Sequence, residues 1–424
     1  MTLSKSDTPL SVMPTGILLR SVVMTSVMSS PLLFRPCLAL LRKLTESKSL
    51  LFDESRNPIL KALLRHTVYA HFNAGINKEE VIKTVKELKR IGFKGVNLGY
   101  GREIVLGTNH GQQNTAAQGH NDLQMVEEWK QGTLQTLEMI GPGDFTAIKF
   151  TGAGPIAMEA MLKGQNMPEP ISNAINEVCE SAARQGVRIW IDAEQQAIQH
   201  TIDSWTIDLM RKYNRDRAPL VYNTIQGYLK GARDNTTRHI KLAAAEGWTL
   251  GVKLVRGAYI EHEDRSLIHD TKEDTDRSYN DIASALIERR LPQQPASEAS
   301  ENYPQVALFL ASHNKDSVRN AMRIYRQRVE SGQPTIILET GQLQGMADEV
   351  SYELLQADRE WSAANSGAAT TKPIPMAYKS LVWGTVAECM HFLHRRAIEN
   401  RGAATRTERM AQALRQELRR RVFG

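Results

Sequence analysis

From residue 79 onward the chain alternates short apolar, β-branched runs with helix-length amphipathic stretches, and this alternation constrains the fold more than any other feature. Eight runs read as strands: residues 95–98, 146–150, 187–192, 220–225, 252–255, 306–311, 335–338 and 374–378. Every gap between them is long enough for a helix; 229–246, 316–329 and 386–400 are examples. Ahead of the first strand, residues 78–90 place Val81, Val85 and Leu88 at helical spacing with charges elsewhere, and Gly92 ends the pattern. Eight strand–helix units predict an α/β chain closed into a (βα)8 TIM-like barrel, with an open doubly wound sheet as the alternative. No GxGxxG follows the first strand, which weighs against a Rossmann cofactor site. The polar run 293–302 reads as a surface loop.

In such a barrel the functional groups lie at the carboxyl ends of the strands. Polar residues collect there: Lys149 at the end of strand two, Asp192 and Glu194 at the end of three, Asn223 and Gln226 at four, and Ser312, His313 and Asn314 after six. Glu339 and Gln342 follow strand seven, and Lys379 and Ser380 follow strand eight. Singly, each has a structural explanation; Asp192 or Asn314 can cap the next helix. Their coincidence points to a shared site. The most informative end is that of strand five, in residues 251–261, GVKLVRGAYIE. Lys253 interrupts an apolar run and Arg256 ends it, and a buried cation needs a partner. Gly257 and Ala258 would let a flat group or a phosphate approach the backbone, Tyr259 offers an amphipathic wall, and Glu261 is a partner for the cations. The plain alternative is a strand end with a turn and a surface tyrosine.

The segment LVRGAYIE resembles the signature of the proline dehydrogenase family, flavoenzymes that oxidise proline to pyrroline-5-carboxylate, and further segments match in the same order from about residue 72 to about residue 401. The resemblance implies FAD as cofactor, L-proline as substrate, hydride transfer from proline C5 to flavin N5, and a membrane quinone as electron acceptor. It implies a substrate pocket containing Lys149, Asp192, Arg395 and Arg396, the cations holding the carboxylate, a task suited to guanidinium groups. It implies flavin contacts from Gln226, Lys253, Val255, Gly257, Ala258, His313, Asn314 and Glu399, and an aromatic wall from Tyr259. The helix entered through residues 271–279 would offer its free N–H groups to the FAD phosphates, and QLQGM at 342–346 resembles a family motif after strand seven. Arg395 lies eleven residues beyond Gly384, about 16 Å along a helix, out of reach of the strand ends if that helix runs away from them. The family lays its last helix across the barrel mouth as a lid, and the same is expected here.

One position departs from the family. Many members read Lys-Tyr-x-Pro-Tyr-Gly where this chain has KSLVWG at 379–384, so Ser380 stands in place of a tyrosine. The family's hydroxyproline-oxidising branch resembles this chain in having serine there. A roomier pocket is expected, unless Trp383 refills the space. Two other functions remain open: a barrel that has lost catalysis and only binds, and a nicotinamide-dependent barrel oxidoreductase.

The ends of the chain are basic. Residues 1–45 hold five Lys/Arg against one acid and residues 401–424 hold seven Arg against two Glu, out of a net +6, so the middle is slightly acidic. Residues 10–41 are rich in Leu, Val, Met and Ser, and Pro14, Pro31 and Pro36 punctuate them. The uncharged stretch 21–34 is too short and too broken for a membrane span. This composition fits an organellar targeting or interfacial segment, with a loosely packed helical arm as the alternative. The expected organisation is a targeting segment or arm over 1–70, the barrel over 71–403 and a basic tail over 404–424. Joined to the resemblance, it implies the matrix side of the mitochondrial inner membrane and peripheral membrane contact. Cys37, Cys179 and Cys389 are far apart with no metal-ligand spacing and read as free thiols; no metal and no nucleic acid is expected.

Overall fold

The computed structural model describes residues 8–46, 56–100, 122–216, 218–260, 263–295, 302–364, 376–399 and 404–423. Eight strands close a barrel in chain order: β1 Gly95–Tyr100, β2 Phe145–Ile148, β3 Arg188–Ile191, β4 Val221–Gln226, β5 Leu250–Val255, β6 Val306–Ala311, β7 Ile337–Leu343 and β8 Met376–Trp383. The pairings from β1 through β7 are parallel, with helices between the strands. The expected (βα)8 barrel is therefore the fold, and closure excludes the open sheet. Two strand ends are corrected. Glu339 lies inside β7, and Lys379 and Ser380 lie inside β8, which runs on to Trp383. Both charges were read as marking strand ends. They sit within the sheet because each has a buried counter-ion.

The described residues pack as two compact units, one drawn from Asn97–Gly341 and Lys372–Met376, the other from Met1–Val96, Gln342–Thr371 and Ala377–Gly424. In the first unit the interior is layered. Arg188 makes a two-pronged contact with Glu339 at 2.7 and 2.9 Å, donates to the Gly143 carbonyl at 2.8 Å, and stacks 3.8 Å from the Phe145 ring centroid. Phe145, Trp190, Tyr222 and Phe309 form an aromatic layer with centroid separations of 4.5–5.3 Å. Across it, the Lys253 ammonium lies 4.5 Å from the Trp190 ring. The aromatic layer thus meets a guanidinium and an ammonium, and its ring faces favour cations. Outside the strands, helix Glu169–Gln185 buries Ile171, Ile175, Val178 and Cys179, and helix Gln196–Tyr213 buries Ile198, Ile202, Trp205 and Leu209.

The second unit holds most of the helices at the chain ends. Helix Lys78–Ile91 starts where the Asn77 side chain accepts from the Glu80 N–H, buries Val81, Val85, Leu88 and Ile91, and stops at Gly92 with φ +126°. Lys379 donates to Asp348 at 2.8 Å, both nearly fully buried, and the Ser21 hydroxyl donates to the other Asp348 oxygen at 3.1 Å. Ser21 belongs to helix Thr15–Ser29, so the N-terminal arm contributes to this buried pair. Residues 404–423 form helix Ala404–Phe423. Its Glu417 accepts from the Thr8 hydroxyl at 2.6 Å, and its Arg421 donates to the carbonyls of Leu10, Ser11 and Met13 at 2.7–3.1 Å. Burial pushes the Glu417 carboxyl upward, but Arg420, Thr8 and Arg421 outweigh it and hold the group down at about 2. Among the described residues no single helix is long and apolar enough to cross a membrane, although Leu19, Val23, Leu32, Leu33 and Leu40 are exposed.

Candidate active site

The rim of the first unit brings together four of the expected residues as two pairs. Lys149, the first residue beyond β2, donates to the Tyr259 hydroxyl at 3.0 Å, with its ammonium 5.6 Å from that ring's centroid. Lys253 donates to Asp192, the first residue beyond β3, at 2.6 Å. The carboxylate and the indole face give the ammonium the partners that a cation at the end of an otherwise apolar strand needs. Neighbouring strands supply the rest. Gln226 ends β4, its Oε1 accepting from the Ala258 N–H at 3.3 Å and its amide donating to the Glu194 carbonyl at 3.3 Å. Val255 ends β5, and its carbonyl accepts from the Gly227 N–H at 2.8 Å. His313 and Asn314 follow β6; Asn314 caps helix Lys315–Glu330, accepting from the Ser317 N–H at 3.1 Å, so the capping explanation holds for it.

Sequence reasoning missed the anchoring of this rim. Arg256 donates to Asp276 at 2.6 and 2.9 Å, to Ser312 at 2.8 Å and to Ser317 at 2.9 Å, and lies 4.4 Å from the Tyr279 ring centroid. It ties the end of β5 to helix Lys272–Glu288 and to the start of the helix after β6. Burial would raise the Asp276 carboxyl, but bonds from Lys272 and Arg256 hold it below its ordinary range. The available signal was Asp276 in TKEDTDRSY, which showed no partner in one dimension. The surroundings of Glu194, a residue noted only as polar at a strand end, are the second omission. Glu194 is almost fully buried, and burial, aided by Asp192, pushes its carboxyl up to about 6 against the pull of Lys149 and Thr151.

Two expectations about the cofactor change in their reasons. Gly257 has φ +150°, and a Cβ there would lie 2.4 Å from the Tyr228 ring. The chain itself therefore requires glycine at 257, and a substitution would disturb the Tyr228 packing as well as any approach of a flat ring to the backbone. The start of helix Lys272–Glu288 carries Thr271 as its cap, accepting from the Asp274 N–H at 3.1 Å, with Glu273 and Asp274 in the first turn. Those acids disfavour a phosphate at that helix end.

The remaining expected residues belong to the other unit. Ser380 lies mid-strand, its carbonyl accepting from the Gln344 N–H at 2.9 Å, and strand alternation puts its side chain on the face opposite Lys379. Arg396 stands on helix Val386–Glu399, its guanidinium 5.3 Å from the Phe392 ring centroid. The side chains of Arg395 and Glu399 lie outside the described set, as do Glu261 and part of the loop 293–302.

A family model described as proline dehydrogenase matches residues 81–409. A protein of Schizosaccharomyces pombe named probable proline dehydrogenase, mitochondrial, is 30% identical over 408 residues, covering 85% of this chain and 80% of that protein. The chain belongs to the proline dehydrogenase family. Human proline dehydrogenase 1, mitochondrial, is 35% identical over 275 residues; the match covers 65% of this chain but only 41% of the human protein. The crystal structure of proline utilization A from Bdellovibrio bacteriovorus superposes with a TM-score of 0.64 at 15% identity, covering 94% of this chain and 40% of that one, a likeness of fold. The rim has the chemistry a flavin needs: the amide of Gln226, the ammonium of Lys253 and the small Gly257–Ala258 backbone. The Trp190 indole N–H, whose ring stacks under Lys253, is buried without a hydrogen-bond partner among the described residues.

Proposed function

We propose that this oxidoreductase of the proline dehydrogenase family oxidises L-proline to 1-pyrroline-5-carboxylate, the first step of proline catabolism, with FAD as cofactor. The observation that carries the reading is the pairing of Lys149 with Tyr259 and of Lys253 with Asp192 on one rim of the barrel. Bound FAD supplies the acceptor, at N5, for the hydride that leaves proline C5. Gln226, Lys253, Val255, Gly257, Ala258, His313, Asn314 and Glu399 hold the cofactor. Lys149, Arg395 and Arg396 are the cations assigned to the proline carboxylate. Asp192 fixes the Lys253 ammonium, and Tyr259 walls the pocket beside the ring. The ring nitrogen must be neutral as the hydride departs, and solvent takes its proton. Electrons pass on to a membrane quinone on the matrix side of the mitochondrial inner membrane. The exposed leucines and Val23 of the N-terminal helices suit contact with that surface.

The purified protein is expected to be yellow, to bleach anaerobically with L-proline, and to recover its absorption on adding a short-chain quinone. A colourless protein that FAD does not reconstitute would leave the non-catalytic or nicotinamide barrel as the better reading. A flavin spectrum that proline does not bleach would remove proline as substrate.

Ser380 favours a second activity of the same site. With a small hydroxyl where relatives carry tyrosine, the pocket should tolerate 4-hydroxyproline while proline remains the main substrate. Ser380→Tyr is expected to lower the hydroxyproline-to-proline ratio of kcat/KM by about 1–3 kcal/mol in selectivity, roughly five- to 150-fold. An unchanged ratio would mean that another side chain, Trp383 first among them, sets the pocket's size.

A further inference from the structure

We infer that Glu194 is a positioning residue for substrate binding: its carboxylate braces the turn that carries Lys149 and so fixes the ammonium that takes up the proline carboxylate. This rests on the reading of Lys149 as a carboxylate anchor.

Lys149 stands between the end of β2 and the short helical turn Phe150–Ala153. A lysine on a flexible stem does not hold one direction unless its backbone is fixed and its path is walled. Tyr259 supplies the wall. The backbone is fixed from two sides. The Trp129 indole donates to the Lys149 carbonyl at 3.1 Å. Two residues on, the Thr151 N–H donates to one Glu194 oxygen at 3.1 Å, and the Thr151 hydroxyl donates to the other. Glu194 is itself pinned: its N–H donates to the Gln199 side chain at 2.7 Å and its carbonyl accepts from Gln226. The turn after β2 therefore hangs from a residue that helix Gln196–Tyr213 and the end of β4 hold still.

A carboxylate is an expensive group for that task. Glu194 is 3% exposed, and among the described residues its oxygens are bonded only by Thr151, a neutral partner. Satisfying Thr151 alone would need no charge. Lys149 is the cation whose charge acts on Glu194, and Asp192 is the neighbouring anion that acts against it. Glu194 thus adds a fixed acidic group whose charge interacts with that of Lys149, beside the brace it gives the turn.

The test compares two ligands by titration calorimetry on the flavin-loaded protein. Cyclopentane carboxylate carries the acid group without the ring nitrogen, and pyrrolidine carries the nitrogen without the acid. Glu194→Gln is expected to weaken the carboxylate about tenfold and to leave pyrrolidine unchanged, a size common for residues sharing one network. In a Lys149→Met background the same change should cost nothing further. Equal weakening of both ligands, or loss that adds to that of Lys149→Met, would overturn the brace. If Lys149→Met alone leaves the carboxylate's affinity intact, it is the reading of Lys149 that fails. Thr151→Val removes the hydroxyl donor only and gives the same comparison should Glu194→Gln fold poorly.

Discussion

Glu339→Ala is expected to destabilise the barrel by about 3–5 kcal/mol, a large share of the roughly 5–15 kcal/mol that holds a domain together. The substitution leaves Arg188 inside the barrel, stacked on Phe145 and hydrogen-bonded to the Tyr222 hydroxyl and the Gly143 carbonyl. Neither neutralises a charge. The glutamate is fully buried and Arg188 only 15% exposed, so water cannot readily replace the lost carboxylate. The measurement is the urea midpoint of wild type and variant. The double change Arg188→Met with Glu339→Met should recover most of the loss, because an apolar pair strands no charge. A loss below about 1 kcal/mol in the single variant would show that the ion pair is as solvent-accessible as a surface pair.

The largest effect on function is expected at Arg395 and Arg396. Each of Arg395→Met and Arg396→Met should weaken proline binding by about 2–5 kcal/mol, from about thirtyfold to several thousandfold, as when one partner of a desolvated charge pair is lost. Helix Val386–Glu399 buries Val386, Cys389, Met390 and Leu393, and the family resemblance assigns its two adjacent arginines to the proline carboxylate. Methionine is unbranched and removes the charge, and the melting temperature should hold while KM rises. If both variants keep the wild-type KM and kcat, the pair is structural and the helix does not serve the substrate.

The barrel was legible in the chain because each strand is a short apolar run bounded by turn residues, and the gaps between runs have helical length. Strand ends were harder. Residues 335–338 and 374–378 were read as strands seven and eight because Glu339 and Lys379 looked like the first polar residues beyond them. Their counter-ions lie 151 and 31 residues away in sequence, so one-dimensional reading treats both as exposed. The same blindness explains Glu194, whose partner Thr151 is 43 residues distant. Lys149, Asp192, Lys253 and Tyr259 stand out in the chain because strand-end position and motif coincide there, and the structure joins them in two pairs. At Gly257 the structure adds a second reason for glycine: the ring of Tyr228 forbids a side chain at that point regardless of any ligand.

The clasp between residues 8–13 and helix Ala404–Phe423 joins segments far apart in the chain. Thr8 and Glu417 are 409 residues apart, and Arg421 gathers the carbonyls of Leu10, Ser11 and Met13. Contacts of such separation form slowly, because a long loop must close before they reward it. Strands β2 to β6 can pair meanwhile, since each neighbours the next in sequence. In a refolding experiment the clasp is therefore expected to report a late step, after the barrel strands have paired.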